Sequence, residues 1–279
     1  MAKFDLHLHS NCSDGSDSVQ ELAQRIVSAN LEIVALTDHD TVAGISEMRA
    51  CLPQNIKFIP GIELTSRAKG IKCHILGFNI DENNPKLLEL IEKGKILRKI
   101  KLETRIKYLK DVWGIEFPKE DLDWLYARKS VVKTHVANKL VEHEYAKDNI
   151  EAMKKYLNGC KTGNSRFDGE EAIETIKIAG GIPVWAHPLG GEGEEHLKKD
   201  EFLPKLEVMI DCGIQGLECF YSRYSNEEIA FLRECANQNG LFITGGSDYH
   251  GTNKNVLFGQ LNIENKPVDS KELNLKPLI

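Results

Sequence analysis

Apolar and polar positions alternate from the start of the chain. Lys3-Phe4-Asp5-Leu6-His7-Leu8-His9 repeats with period two and predicts a strand. Ser18-Val19-Gln20-Glu21 has the form of a capping box, and Leu22, Ile26 and Val27 follow at helical spacing. A short apolar run over 33–36 predicts a second strand and residues 41–52 a helix. Further strands are expected over 56–63 and 71–78. The rhythm returns after residue 165, with a helix over 170–179 stopped by Gly180-Gly181 and a strand over 182–186. A helix over 202–212, a strand over 217–220, a helix over 226–239 capped by Asn226 and a strand over 241–245 complete the series. Seven strand candidates, most followed by a helix, imply a mainly parallel sheet, open or closed into a barrel.

Residues 85–165 break the alternation. Leu102, Ile106, Leu109 and Trp113 fall at i, i+4, i+7 and i+11, the spacing of a long amphipathic helix. Residues 142–157 also read as helical, and no strand is expected between. The expected organisation is a first β/α part over 1–84, a helical insertion over 85–165 that lids the substrate, and a second β/α part over 166–279. Between Lys93 and Lys110 the insertion carries eight basic residues against one acid, Glu103. Such a run serves either as a solvated face or as an electrostatic funnel for an anionic substrate.

Composition narrows the class. Hydrophobic residues make up 41% and charged residues 28%, so the chain can bury a core. Its apolar runs all fall short of the roughly 18–20 residues that span a bilayer. The net charge of −6 argues against holding long nucleic acid by charge alone, though not against a nucleotide gripped through metal ions. Seven cysteines without a CxxC pair, in a chain whose start shows no export signal, read as reduced thiols in the cytoplasm. There is no Walker A sequence, no G-x-S-x-G elbow, and no G-x-G-x-x-G after a strand. Gly190-Gly191-Glu192-Gly193 reads as a flexible loop rather than a phosphate cradle.

Chemistry enters through the histidines. His7 and His9 are two apart on a predicted strand, so their rings share a face. Asp14 follows in the next loop. His39 lies just past the second strand, Glu63 closes the third, His74 lies in the fourth, His187 follows the fifth, and Asp248 and His250 follow the last. In a parallel β/α architecture most of these positions lie on one rim. Six imidazoles, two aspartates and one glutamate are too many for one ion; shared through a bridging Glu, they suit two or three Mn²⁺, Zn²⁺ or Fe²⁺ ions.

Asp5-Leu-His-Leu-His-Ser-Asn-Cys-Ser-Asp-Gly15, Ala35-Leu-Thr-Asp-His-Asp-Thr41, Pro60-Gly-Ile-Glu63, His74-Ile-Leu-Gly77, Ala186-His-Pro188 and Gly246-Ser-Asp-Tyr-His-Gly251 together resemble the successive motifs of the PHP (polymerase and histidinol phosphatase) superfamily. The order and the insertion are similar to its branch of 3′,5′-nucleoside bisphosphate phosphatases and 5′-to-3′ exoribonucleases. The resemblance implies a distorted (β/α)₇ barrel in which His7, His9, Glu63 and Asp248 hold one ion. Glu63, His74 and His187 would hold a second, and Asp14, His39 and His250 a third. These nine would be the catalytic set, with Asp38 and Asp40 supporting His39 from behind. Lys133-Thr134-His135 stands where family members often carry Arg-Pro-His, so Lys133 and His135, with Arg223, would bind the substrate phosphate.

The implied activity is hydrolysis of a phosphomonoester by a water that clustered divalent ions activate as hydroxide. The expected substrate is the 3′-phosphate of a nucleoside 3′,5′-bisphosphate or a short 5′-phosphorylated RNA end. A cyclic sugar phosphate or histidinol phosphate is the alternative substrate, and a non-catalytic metal or nucleotide sensor the remote alternative. No membrane partner is expected.

Overall fold

Strand β1 (Phe4–Leu8) lies beside both the second strand and the last one. The computed structural model describes residues 3–128, 130–163, 166–191 and 196–274. After β1 come α1 (Val19–Ser28), β2 (Ile33–Leu36), α2 (Ile45–Cys51), β3 (Lys57–Ala68) and β4 (Ile71–Phe78). The insertion follows as α3 (Pro85–Trp113), α4 (Lys119–Ala127), α5 (Lys133–Glu142) and α6 (Asn149–Glu151), which runs into a π-helical turn, Ala152–Leu157. The chain then forms β5 (Phe167–Asp168), α7 (Gly169–Ile178), β6 (Ile182–Trp185), α8 (Lys199–Asp211), β7 (Gly216–Tyr221), α9 (Asn226–Gln238) and β8 (Phe242–Gly246).

The strands run in the order β1-β2-β3-β4-β6-β7-β8, with the short β5 pairing off this path on β3. Closure comes from the Asp248 N–H donating to the His7 carbonyl at 2.9 Å and the His9 N–H donating to the Tyr249 carbonyl at 3.0 Å. The result is a distorted seven-stranded β/α barrel. Its distortion is β4, which runs antiparallel to both β3 and β6. Lys69 and Gly70, both at positive φ, turn the chain back after β3, so this connection has no helix. The reversal matters for the site. Register pairs Thr65 with His74, so the early part of β4 meets the end of β3, and His74 reaches the rim where the parallel strands end.

Gly246 is the position that permits closure. A Cβ there would lie 2.2 Å from the His7 Cβ and 2.5 Å from its nitrogen, so only glycine lets β8 approach β1 at this point.

Several boundaries differ from the sequence reading. α2 starts at Ile45 rather than Thr41, because the Thr41 hydroxyl accepts the Ala43 N–H and holds a turn instead. α9 is capped by Ser225, not Asn226; the Ser225 hydroxyl accepts the Glu228 N–H and the Glu228 carboxylate accepts the Ser225 N–H, a capping box. α8 begins at Lys199, three residues early. The helix expected over 142–157 is broken. α5 ends at Glu142, and Glu144 at positive φ turns the chain before α6. The glycine-rich reading at Gly190-Gly191-Glu192-Gly193 reaches residues outside those described.

α3 joins two cores. Leu87, Leu90 and Ile91 pack into the barrel's core, whereas Leu102 and Leu109 pack with Phe117, Leu125, Val136 and Leu140 in a separate cluster. Ile106 is partly buried against that cluster, and Trp113, 40% exposed, stands edge-on to Tyr156. The first turns of α3 therefore belong to the barrel and its later turns to the insertion.

Candidate metal centre

The rim of the barrel gathers all nine predicted ligands. His7 and His9 leave β1 on one face, buried, with ring centroids 5.1 Å apart. Glu63, in the middle of β3 and fully buried, is their common neighbour. Its Oε2 lies 3.3 Å from His7 Nε2, 3.2 Å from His9 Nε2 and 3.1 Å from His39 Nδ1. Its Oε1 lies 2.9 Å from His74 Nδ1 and 3.3 Å from His187 Nε2. One carboxylate thus faces five imidazoles.

Asp248 and Asp14 close the two ends. Asp248 Oδ1 is 3.5 Å from His7 Nε2 and 3.4 Å from both His9 Nε2 and His250 Nδ1. Asp14 Oδ1 is 3.2 Å from His250 Nε2 and 3.9 Å from His9 Nδ1 and His39 Nε2. Donor atoms converge in three groups: His7, His9, Glu63 and Asp248; His39, Glu63 and His74; and His9, Asp14, His39 and His250. The grouping is tighter than the sequence suggested. His39 turns one ring nitrogen to Glu63 and the other to Asp14, and His9 likewise faces two groups.

The donor set suits a divalent metal. His7 Nε2, His9 Nε2, Asp14 Oδ1, His39 Nδ1, Glu63 Oε2 and His250 Nε2 are buried without a hydrogen-bond partner, and all six point into the same space. Orphaned lone pairs cost free energy unless something binds them. Burial raises the carboxyl pKa values, but His39, His7 and His74 beside Glu63 hold it well below the carboxylate range. Lys254, His7 and His250 do the same for Asp248. Burial lowers His39 well below its usual value and lowers His250. The carboxylates are therefore charged, and His39 and His250 keep open lone pairs. At His7 and His9 burial is outweighed by the surrounding carboxylates, which raise both, His9 to about 9, so a cation bound there would take the place of their protons.

Backbone geometry places the loops. Asp40, His187 and Asp248 all take positive φ, at 51°, 30° and 59°. Non-glycine residues in this region are uncommon and here sit where strands end at the site. Gly15 closes the Ser13-Asp14 turn; a Cβ there would be 2.4 Å from the His9 carbonyl oxygen.

A ring of supporting residues, most of it not singled out from the sequence, orients the candidate ligands. Glu218, fully buried in β7, accepts the His7 Nδ1–H at 2.8 Å and the His187 backbone N–H at 2.7 Å. Tyr221 donates to Asp248 Oδ2 at 2.9 Å, and Lys254 donates to the same oxygen at 2.7 Å. Asp5 accepts from the His7 N–H and from both donors of Ser247, and burial raises it to about 6. Asp38 accepts from Ser10 and Ser13, while Asp40 accepts the Thr65 N–H and pairs with Arg98. Both aspartates turn away from His39. The available signal was a charged residue at a buried strand position, as at Glu218 in an apolar strand.

The insertion reaches this rim through α5 and the residues before it. Thr134 donates to Asp14 Oδ2 at 3.4 Å, and Arg128 Nη2 donates to the Asn11 and Ser13 carbonyls at 2.7 and 3.3 Å. His135 is only 2% exposed. Its Nδ1 accepts the Val132 N–H at 3.0 Å, the ring bonds the Ser13 backbone, and burial pushes it down to about 4. Lys133 opens α5 and bonds Asn158; burial, with Arg105 nearby, lowers it to about 8. Arg223 is exposed on the loop after β7, without a hydrogen bond or ion pair among the described residues. Cys12 is buried next to the site, and no disulfide links any of the seven cysteines.

A closed β/α barrel whose strand ends gather six imidazoles and two aspartates around a buried glutamate fits a metal-binding hydrolase. Comparison with known proteins gives the family. The PHP domain model matches residues 5–164. A 5′-3′ exoribonuclease from Haemophilus influenzae is 32% identical over 253 residues, covering 89% of this chain and 90% of that protein. A phosphoribosyl 1,2-cyclic phosphate 1,2-diphosphodiesterase from Eggerthella lenta is 30% identical, covering 88% and 94%. A 3′,5′-nucleoside bisphosphate phosphatase from Chromobacterium violaceum is 29% identical, covering 90% and 88%. The chain belongs to the PHP family. It is a metal-dependent phosphoester hydrolase. Among the described residues no helix is long and apolar enough to cross a membrane.

Proposed function

We propose that this enzyme hydrolyses a phosphate ester of a nucleotide, with water as the acceptor, at either the 3′-phosphate of a nucleoside 3′,5′-bisphosphate or a short 5′-phosphorylated RNA end. It acts in the cytoplasm. The observation that carries the reading is Glu63, one carboxylate shared by five imidazoles between Asp248 and Asp14. His7, His9, Glu63 and Asp248 would hold one Mn²⁺, Zn²⁺ or Fe²⁺ ion. His39, Glu63 and His74 would hold a second, with His187 reaching it only through its approach to Glu63 Oε1, and Asp14, His9, His39 and His250 a third. Bound there, such ions lower the pKa of water and offset the charge of phosphate oxygens.

The chain's own groups do the rest. Glu218 fixes the rotamer and tautomer of His7 and holds the backbone of His187. Tyr221 and Lys254 fix Asp248 by engaging one oxygen, which leaves Oδ1 toward His7 and His9. Lys133, at the start of α5, and Arg223, on the loop after β7, would supply positive charge to the substrate phosphate. His135, with its nitrogens given to backbone groups, positions α5 against the Ser13-Asp14 loop rather than binding phosphate itself.

The test is a hydrolysis screen after reconstitution with Mn²⁺, Zn²⁺ and Fe²⁺. Nucleoside 3′,5′-bisphosphates and 5′-phosphorylated RNA should release product faster than cyclic ribose phosphate or histidinol phosphate. Turnover confined to the last two would replace this reading.

A further inference from the structure

The basic stripe of α3 is only partly neutralised. Lys93 pairs with Glu171, Lys95 with Glu92, Arg98 with Asp40, Lys107 with Asp111 and Lys110 with Glu116. Lys99 has no carboxylate partner among the described residues. It borders a cavity of about 300 Å³ between α3 and the end of α4, whose lining includes Lys95, Arg98, Arg128, Tyr126 and Leu102. No acid lines it.

Aromatic rings and cations interleave beside the cavity. Trp124 and Tyr126 on α4 are 39% and 45% exposed. The Arg128 guanidinium lies 4.9 Å and Lys139 Nζ 4.7 Å from the Trp124 ring centre, and Lys99 Nζ lies 6.0 Å from that of Tyr126. Such a mixture suits single-stranded nucleic acid, whose bases stack on rings while its backbone needs cations. Two lining residues also touch the metal rim. Arg98 bonds Asp40 and the Thr65 hydroxyl, beside His39, and Arg128 bonds the carbonyl that precedes Asp14. The cavity therefore shares Arg98 and Arg128 with the loops that carry His39 and Asp14, but none of the candidate metal ligands lines it.

Resting on the function proposed above, we propose that this cavity is a subsite for the following nucleotide of a single-stranded oligonucleotide. Its base stacks on Tyr126, and its phosphodiester lies among Lys95, Lys99 and Arg128. A mononucleotide held at the metals does not need this subsite, so its presence makes a short oligonucleotide the preferred substrate class.

The test measures binding and turnover separately. Metal-free protein is titrated against a fluorescein-labelled, 5′-phosphorylated RNA hexamer by anisotropy. Reconstituted protein is assayed on the hexamer and on adenosine 3′,5′-bisphosphate. Tyr126→Ala should weaken hexamer binding by roughly 10-fold, the loss of one stacked base. Lys95→Gln/Lys99→Gln should weaken it further and flatten its salt dependence by about one unit of slope. Both should leave KM for the bisphosphate within about twofold, since single nucleotides do not reach this far. Unchanged hexamer affinity in both variants overturns the inference, as does equal competition by polyglutamate of the same charge. If wild-type protein hydrolyses neither substrate with any metal, the proposed function fails instead, whatever the anisotropy shows.

Discussion

Glu218 holds His7 in place: the imidazole Nδ1–H donates to the glutamate's Oε1 at 2.8 Å, in a pair that solvent does not reach. The second oxygen takes the His187 backbone N–H, so one side chain on β7 sets a candidate ligand on β1 and another in the loop after β6. A partner of this kind raises the basicity of the facing nitrogen and fixes the ring. Glu218→Gln should therefore lower metal affinity or turnover by about 10–100-fold while the barrel stays folded. Elemental analysis and circular dichroism together check this; full metal content with unchanged turnover would refute it.

Glu63→Gln should be more severe. The amide removes the charge that offsets repulsion between neighbouring cations and leaves five imidazoles around a neutral group. Chelation should abolish wild-type hydrolysis, and Mn²⁺, Zn²⁺ or Fe²⁺ should restore it. Glu63→Gln should not regain activity under the same additions. Metal counts on the two proteins, expected to be at least two ions in the wild type, give the check.

Lys101 illustrates a residue that burdens the fold. It is 9% exposed on α3; burial, with Arg98 close by, lowers its pKa from 10.5 to about 7. The unfolded chain then binds a proton more readily than the folded one between pH 7 and 10.5, so stability rises with pH across that window. The penalty is complete below pH 7 and gone above 10.5. Lys101→Met keeps the aliphatic stem and removes the charge. Calorimetry should show Tm raised by at least about 2 °C at pH 7, with the gain shrinking toward pH 10. A fall in Tm would mean that the ammonium contributes to the fold.

The barrel was largely legible because its strands are short apolar runs and its helices start at recognisable caps, as at Ser18. The convergence of imidazoles and carboxylates was legible because they fall at strand ends, which share one rim. Less was visible where the cause is tertiary. The reversal of β4 depends on a two-residue turn at Lys69-Gly70, and hydropathy carries no strand direction. Asn226 looked like a cap until Ser225 found Glu228. Sequence spacing could not show that His39 would face two carboxylates, because that depends on a ring angle. Glu218 and Arg98 lie far in sequence from the groups they hold.

His135 supplies the sharpest test of how the insertion acts. The sequence makes it a phosphate ligand; the role proposed above, which its burial and its contacts with Val132 and Ser13 support, is a brace between α5 and the loop that carries Asp14. Thr134 and Arg128 hold the same loop from the same side. His135→Ala leaves the Val132 N–H unsatisfied in a buried place, at a cost of about 1–3 kcal/mol. It should lower Tm and reduce kcat more than it raises KM, because the loop bearing Asp14 loosens while phosphate contacts survive. His135→Gln offers a separate readout. A glutamine at the third helical position can reach back to the N-cap N–H, as in a capping box, so it should recover most of the stability but not the tie to Ser13. A ligand role predicts the opposite split: KM for the best substrate rises strongly in both variants, and Tm changes little.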